Sequence, residues 1–234
     1  MNPNDPNVAL LEVVGRHLGE ALLQKVVFIG GAVAGLLITD PAMPAIRATE
    51  DVDVIVELIS HGEYREVERS LLAQGFTQDL NDTAPICRWK IASVVVDVLP
   101  TIEKILGFTN RWYQNAVETA VTVDLPTGLR IKRITAPMFL ATKLEAFAGR
   151  GNNDYLFSHD LGDILALIDG RESLIAECEN ENSELKIYLR QRLGSLLLAP
   201  AFIQALPGHL PGDRASQERV PDLEQKLVKL ANLR

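Results

Sequence analysis

Strand-like and helix-like segments alternate over the first 134 residues and helical periodicity alone follows. The sequence therefore predicts an α/β (α+β) protein: a small mixed β-sheet flanked by helices, then a helical C-terminal region. Two observations carry this. Short apolar runs recur at 26–29, 52–57, 86–91 and 94–99, bounded by glycine, proline or polar residues as strands are. From about residue 135 onward apolar residues recur only at helical spacing. The expected division is 1–134 for the α/β domain and 135–234 for the helical region, with a site in the cleft between them.

Residues 7–24 place Leu10, Leu11, Val14, Leu18 and Leu22 at three- and four-residue spacings, which predicts an amphipathic helix. The strand at 26–29 stops at Gly30-Gly31, and the apolar segment 32–38 reads as helical. A loop, DPAMPAIRATE, carries Arg47 and Thr49 just ahead of Asp51 and Asp53, where the next strand opens. A helix runs from Gly62 through Gln74 and ends at Gly75. Ala92-Ser93 separates two apolar runs as a hairpin turn would. Residues 111–118 read as helix, and 120–125 with 129–133 as a hairpin around Pro126-Thr127-Gly128. Pro137 suits the first turn of a helix reaching about Ala148, with Thr135 as its N-cap and with Lys143 and Glu145 along it. A glycine-asparagine loop leads to a helix capped near Ser158, with Asp160 or Asp163 in its first turns. Segments at 173–179, 183–197 and 219–232 complete the helical part.

Composition narrows the function. Hydrophobic residues make up 47% and charged residues 23%, as in ordinary globular proteins. The net charge of −8 is concentrated early: residues 1–109 hold 8 Lys/Arg against 15 Asp/Glu, residues 110–234 hold 15 against 16. That balance argues against a general nucleic-acid binder, whose affinity rests on phosphate neutralisation, while leaving a local basic groove open. Cys87 and Cys178 form neither a metal spacing nor a disulfide framework. With no signal-peptide pattern and no long apolar run, no membrane partner is expected and a cytoplasmic location is.

The chemistry centres on Asp51 and Asp53. Carboxylates at i and i+2 on a strand share a face, and like charges so close repel unless something positive lies between them. A divalent cation such as Mg²⁺ is the simplest candidate, since hard cations take carboxylate oxygens and often share their shell with phosphates. Asp97 interrupts the valine run VVVDVLP, where a carboxylate is costly to bury without a partner; it can supply a third ligand or bond locally. Gly30-Gly31 allows close approach to the backbone. Arg47 reads either as a surface cation or as a group for a phosphate or the carboxylates. A dinucleotide-binding fold shares part of this outline, but G-x-G-x-x-G is absent and the acidic residues come as a pair.

Gly30-Gly31, then Asp51-x-Asp53, then Asp97 on a later strand together resemble the polymerase-beta-like nucleotidyltransferase superfamily, although the nineteen residues between Gly31 and Asp51 exceed the usual spacing. Arg47 to Asp53, Lys143 to Ala146, Arg150-Gly151 and His159 to Leu161 look like the AbiEii-type toxin nucleotidyltransferases. The resemblance implies catalytic Asp51, Asp53 and Asp97 holding two Mg²⁺ ions, with Mn²⁺ as a substitute. It implies nucleotide binding by Gly30, Gly31, Arg47, Thr49, Lys143 and Asp160, Lys143 countering the β/γ-phosphates. The partners it implies are an NTP, an acceptor that is RNA, protein or a small molecule, and a cognate antitoxin. Asp160 reads equally as an acidic residue favoured in a helix's first turn.

Overall fold

A computed structural model describes residues 5–44, 46–58, 60–82 and 84–234. The chain runs α1 (Pro6–Leu23), β1 (Val26–Ile29), α2 (Ala34–Leu37), β2 (Asp51–Val56), α3 (His61–Ala73), β3 (Thr77–Gln78), β4 (Arg88–Ile91), β5 (Val94–Pro100), α4 (Glu103–Leu106), α5 (Tyr113–Glu118), β6 (Val121–Asp124) and β7 (Arg130–Arg133). Helices α6 (Ala136–Arg150), α7 (His159–Gly170), α8 (Leu174–Glu179), α9 (Ser183–Leu197), α10 (Pro200–Ala205), α11 (Arg214–Gln217) and α12 (Val220–Leu230) follow. The expected α/β class is observed: seven strands form one mixed sheet in the order β3-β4-β5-β2-β1-β7-β6. β2 pairs parallel with β5 and β1 parallel with β7; the other pairings are antiparallel.

The described residues gather into two compact units. One holds the sheet, running to Leu36 and again over Arg47–Thr135; the other comprises Leu37–Ile46 and Ala136–Arg234. In the sheet unit α1 packs along β1, β2, β5 and β7. Its N-terminus is fixed by Asp5, whose side chain accepts from Asn7 N–H, and by Pro6 in the first turn. Its apolar stripe of Leu11, Val14, Leu18 and Leu22 is buried, as are the inner valines Val52, Val54, Val96 and Val98. Burying such side chains contributes about 1.5–3 kcal/mol each and is the main source of the sheet's stability.

In the helical unit α6 is buried from Ala136 through Leu144 and packs on α7, α8 and α9. Leu223, Leu227 and Leu230 of α12 are fully buried against the same bundle. The strap Leu37–Ile46 belongs to this unit although it lies early in the sequence. Thr39 and Asp40 both donate their N–H to Gly170 O at 2.9 Å, and Arg219 bridges Asp40 and Asp169 with two 2.7 Å bonds.

Some local expectations change. The segment expected as a helix at 32–38 is a 3₁₀ turn at Gly31–Val33 followed by the single turn of α2. β4 begins at Arg88, two residues later than its apolar run, because the chain at Pro85 to Cys87 turns and Arg88 N–H donates to Pro85 O. Thr135 does not cap α6: its buried hydroxyl has no hydrogen-bond partner among the described residues. Ser158 does cap α7, its hydroxyl accepting from Leu161 N–H. Among the described residues no helix is long and apolar enough to cross a membrane.

Candidate metal centre

β2 lies between β1 and β5, and its pairing sets Asp53 opposite Ile29 on one side and Asp97 on the other. Alternation along the strand puts Asp51 and Asp53 on one face and Val52 and Val54 on the other. Burial follows: the two valines are buried and the two aspartates half-exposed. One carboxylate oxygen from each of Asp51, Asp53 and Asp97 thereby lies within 4.8 Å of the others. Asp97 is only 8% exposed, so its charge must be compensated.

Part of that compensation is Arg88. It sits opposite Asp97 on β4 and donates Nε to Oδ1 at 2.9 Å and Nη2 to Oδ2 at 2.7 Å, a bidentate pair. The bond to Asp97 raises the guanidinium's affinity for its proton further still. Arg88 is absent from the sequence-based site, yet a signal for it exists. A two-residue turn at Ala92-Ser93 pairs 91 with 94, and by the same register 88 with 97. Each Asp97 oxygen keeps a second lone pair beyond the Arg88 bonds. Cys87 beside it is no nucleophile: burial, with the Asp97 charge adding, pushes its thiol up to about 12.

Two further residues shape the cluster. Thr49 is buried and its hydroxyl donates to Asp51 Oδ1 at 2.6 Å. Gly30 directly follows the residue paired with Asp53 and has φ +70°, a conformation that favours glycine. A Cβ built there would stand 1.9 Å from Asp53 Oδ2, so the missing side chain is what makes room for the carboxylate. Three carboxylates converging from two adjacent strands, with a glycine cradle behind one of them, form an all-oxygen donor set that suits Mg²⁺ or Mn²⁺.

The residues expected to contact nucleotide fall in two places. Gly30, Gly31, Arg47 and Thr49 are in the sheet unit with the aspartates. Arg47 is exposed; its guanidinium lies 3.4 Å from Ala48 O, and its own carbonyl accepts from Asn7. Lys143 and Asp160 meet in the helical unit. Lys143 Nζ donates to Asp160 Oδ1 at 3.1 Å and forms an ion pair with Asp163 Oδ2 at 2.7 Å. Arg150 donates twice more to Asp160 at 3.0 Å. Glu145, on the same helix, accepts from the Tyr188 hydroxyl at 2.7 Å.

This buried cluster makes its own prediction. Burial pushes the Asp160 carboxyl up, but the Arg150 hydrogen bonds and the Lys143 charge outweigh it and hold it below the ordinary value. Lys143→Met leaves Asp160 and Asp163 buried without that cation, and should destabilise the protein by about 3–5 kcal/mol in denaturant titration at pH 7. The sign of the pH dependence follows from the depression. Asp160's contribution is complete above the unfolded carboxyl value of about 3.9 and is lost as pH falls toward the lower folded one. Lys143→Met should therefore also flatten the acid limb of stability against pH.

No protein-family model matches the chain, and no curated protein matches it. Solved structures with some likeness include the antibiotic-resistance factor ANT(2'')-Ia, at 13% identity and TM-score 0.49, covering 82% of this chain and 95% of that one. JHP933 from Helicobacter pylori follows at 13% identity and TM-score 0.44, covering 97% and 90%. A proposed nucleotidyltransferase from H. pylori stands at 12% and 0.45, covering 100% and 94%. Likenesses of this size carry no argument about what the chain does.

Proposed function

We propose that this chain is a Mg²⁺-dependent nucleotidyltransferase, able to use Mn²⁺, that transfers a nucleoside monophosphate from an NTP to a hydroxyl acceptor and releases pyrophosphate. The observation that carries the reading is the convergence of Asp51, Asp53 and Asp97, with Gly30 cut back beside Asp53. Asp51 and Asp53 would hold the ions on one strand and Asp97 would complete the set from the next. Two bound divalent ions supply charge neutralisation for the phosphoryl group and a more acidic acceptor hydroxyl. Arg88 would orient Asp97 through its hydrogen bonds to both carboxylate oxygens. Gly30 and Gly31 would carry the triphosphate on the backbone.

The finer reading rests on sequence. Similarity of Arg47 to Asp53 and of Lys143 to Ala146 to the AbiEii-type enzymes supports an RNA or protein acceptor and a toxin role with a cognate antitoxin. A second reading, a small cationic acceptor of aminoglycoside type, is favoured by charge: 15 acidic against 8 basic residues over 1–109 suit a cation better than a polyanion. The test is incubation of the protein with Mg²⁺ and each α-labelled NTP, with total RNA, cell protein or aminoglycosides as separate acceptors. Label on one acceptor class establishes transfer and names the class. No label on any of them, with NTP binding intact by calorimetry, would leave a non-catalytic nucleotide-binding module and sink the enzymatic reading.

A further inference from the structure

Asp51 is the first residue of β2 and half-exposed, so strand pairing fixes its backbone but leaves its side chain to other devices. The device is Thr49. Its hydroxyl donates to Asp51 Oδ1 at 2.6 Å, and the Asp51 N–H returns a long 3.5 Å contact to the same oxygen. Thr49 is in turn held by Asn7, forty-two residues earlier in the chain. Asn7 Oδ1 accepts from Thr49 N–H at 2.9 Å and Asn7 Nδ2 donates to Arg47 O at 3.1 Å. Asn7 is fully buried in the first turn of α1, and its own N–H is taken by Asp5 Oδ1 at 2.9 Å. One amide side chain thus satisfies two backbone groups two residues apart, as a neighbouring strand would.

We infer that Asn7 and Thr49 are positioning residues for the metal-ligating carboxylate of Asp51: Asn7 clamps the backbone at 47–49, and the Thr49 hydroxyl anchors Oδ1. The other carboxylate oxygen is left for the cation. The inference rests on the metal reading above and adds to it two residues that would not touch nucleotide, one of which, Thr49, the sequence alone assigns to nucleotide binding. The chemistry is that of an outer-shell partner. Three carboxylates within 4.8 Å repel, and an unanchored one at a strand's edge would swing away from the others. A hydroxyl donor on one oxygen holds the rotamer without adding a charge, and an immobile partner behind the hydroxyl makes the anchor rigid.

The test uses the full chain and Mn²⁺ alone, with the free ion read by electron paramagnetic resonance. Thr49→Val removes the hydroxyl at nearly constant volume and should weaken Mn²⁺ binding by about 10- to 100-fold, the usual effect of losing such a partner. Thr49→Ser keeps the hydroxyl and should restore affinity to within about twofold of the parent. Asn7→Ala should weaken binding in the same direction, and the double variant should be no worse than Thr49→Val, since both act through one path. Far-UV circular dichroism and a denaturation midpoint establish that each variant is folded; if Asn7→Ala is not, the Thr49 pair decides. A folded Thr49→Val that binds Mn²⁺ like the parent, while Asp53→Asn does not, overturns the positioning role and leaves the metal centre standing. A parent that binds Mn²⁺ no better than Asp53→Asn overturns the metal reading and this inference together.

Discussion

Replacing Asp53 with Asn should lower nucleotidyl transfer by about three powers of ten or more while leaving the chain folded. Asp53 is the hinge of the cluster, two residues from Asp51 on its own strand and in register with Asp97 on the next. The amide is almost isosteric but neutral, and it weakens the hold on ions whose charge stabilisation is worth several kcal/mol, each ~1.4 kcal/mol being tenfold in rate. Stability should move the other way. Taking one charge from three crowded carboxylates relieves repulsion, so the metal-free variant should unfold at a higher temperature than the parent, by an amount corresponding to about 0.5–2 kcal/mol. Mg²⁺ should then raise the melting point of the parent more than that of the variant. Transfer at the parental rate in Asp53→Asn would remove the carboxylates from the mechanism altogether.

Gly30→Ala should be nearly as damaging, by a steric route. The added methyl would overlap Asp53 Oδ2, and φ +70° is unfavourable for any residue with a Cβ. Left unrelieved, the backbone term of about 1–2 kcal/mol and the crowding term of about 1–3 kcal/mol would both fall on the folded state. The ready relief is for the Asp53 side chain to rotate away from Asp51 and Asp97. Displacement of a reacting group by about 1 Å can cost 100-fold, so transfer should fall by about that factor or more even where the fold survives. Steady-state rates with Mn²⁺ affinity measured alongside test this. Full activity in Gly30→Ala would mean that Asp53 does not stand against the glycine during turnover.

The aspartate pair is legible in the sequence because period two puts i and i+2 on one face whatever the strand's neighbours are, and Asp97 is legible because a carboxylate inside a valine run demands a reason. That Asp53 and Asp97 share a register is not legible: it depends on a parallel pairing of β2 with β5 across a long crossover, which no local pattern specifies. β3 has two residues and α4 and α11 four each, too few to show a period. Asn7 reads as one polar residue among several near a helix start; only tertiary structure reveals that it is fully buried with partners at 47 and 49. The meeting of Lys143 with Asp160 and Asp163 is likewise set by the packing of α6 on α7, which no local pattern specifies.

The strap at Leu37–Ile46 has a consequence for the chain's birth. The bond from Arg219 to Asp40 closes a separation of 179 residues, and Arg219 is the side chain that also holds Asp169. At a synthesis rate of about 5–20 residues per second, on the order of 10–40 s pass between the emergence of the two partners from the ribosome. Through that interval the strap lacks its Arg219 bond, although its bonds to Gly170 can form earlier. A nascent chain interrupted before residue 219 would keep the Gly170 bonds to the strap but lack the Arg219 bridge between Asp40 and Asp169.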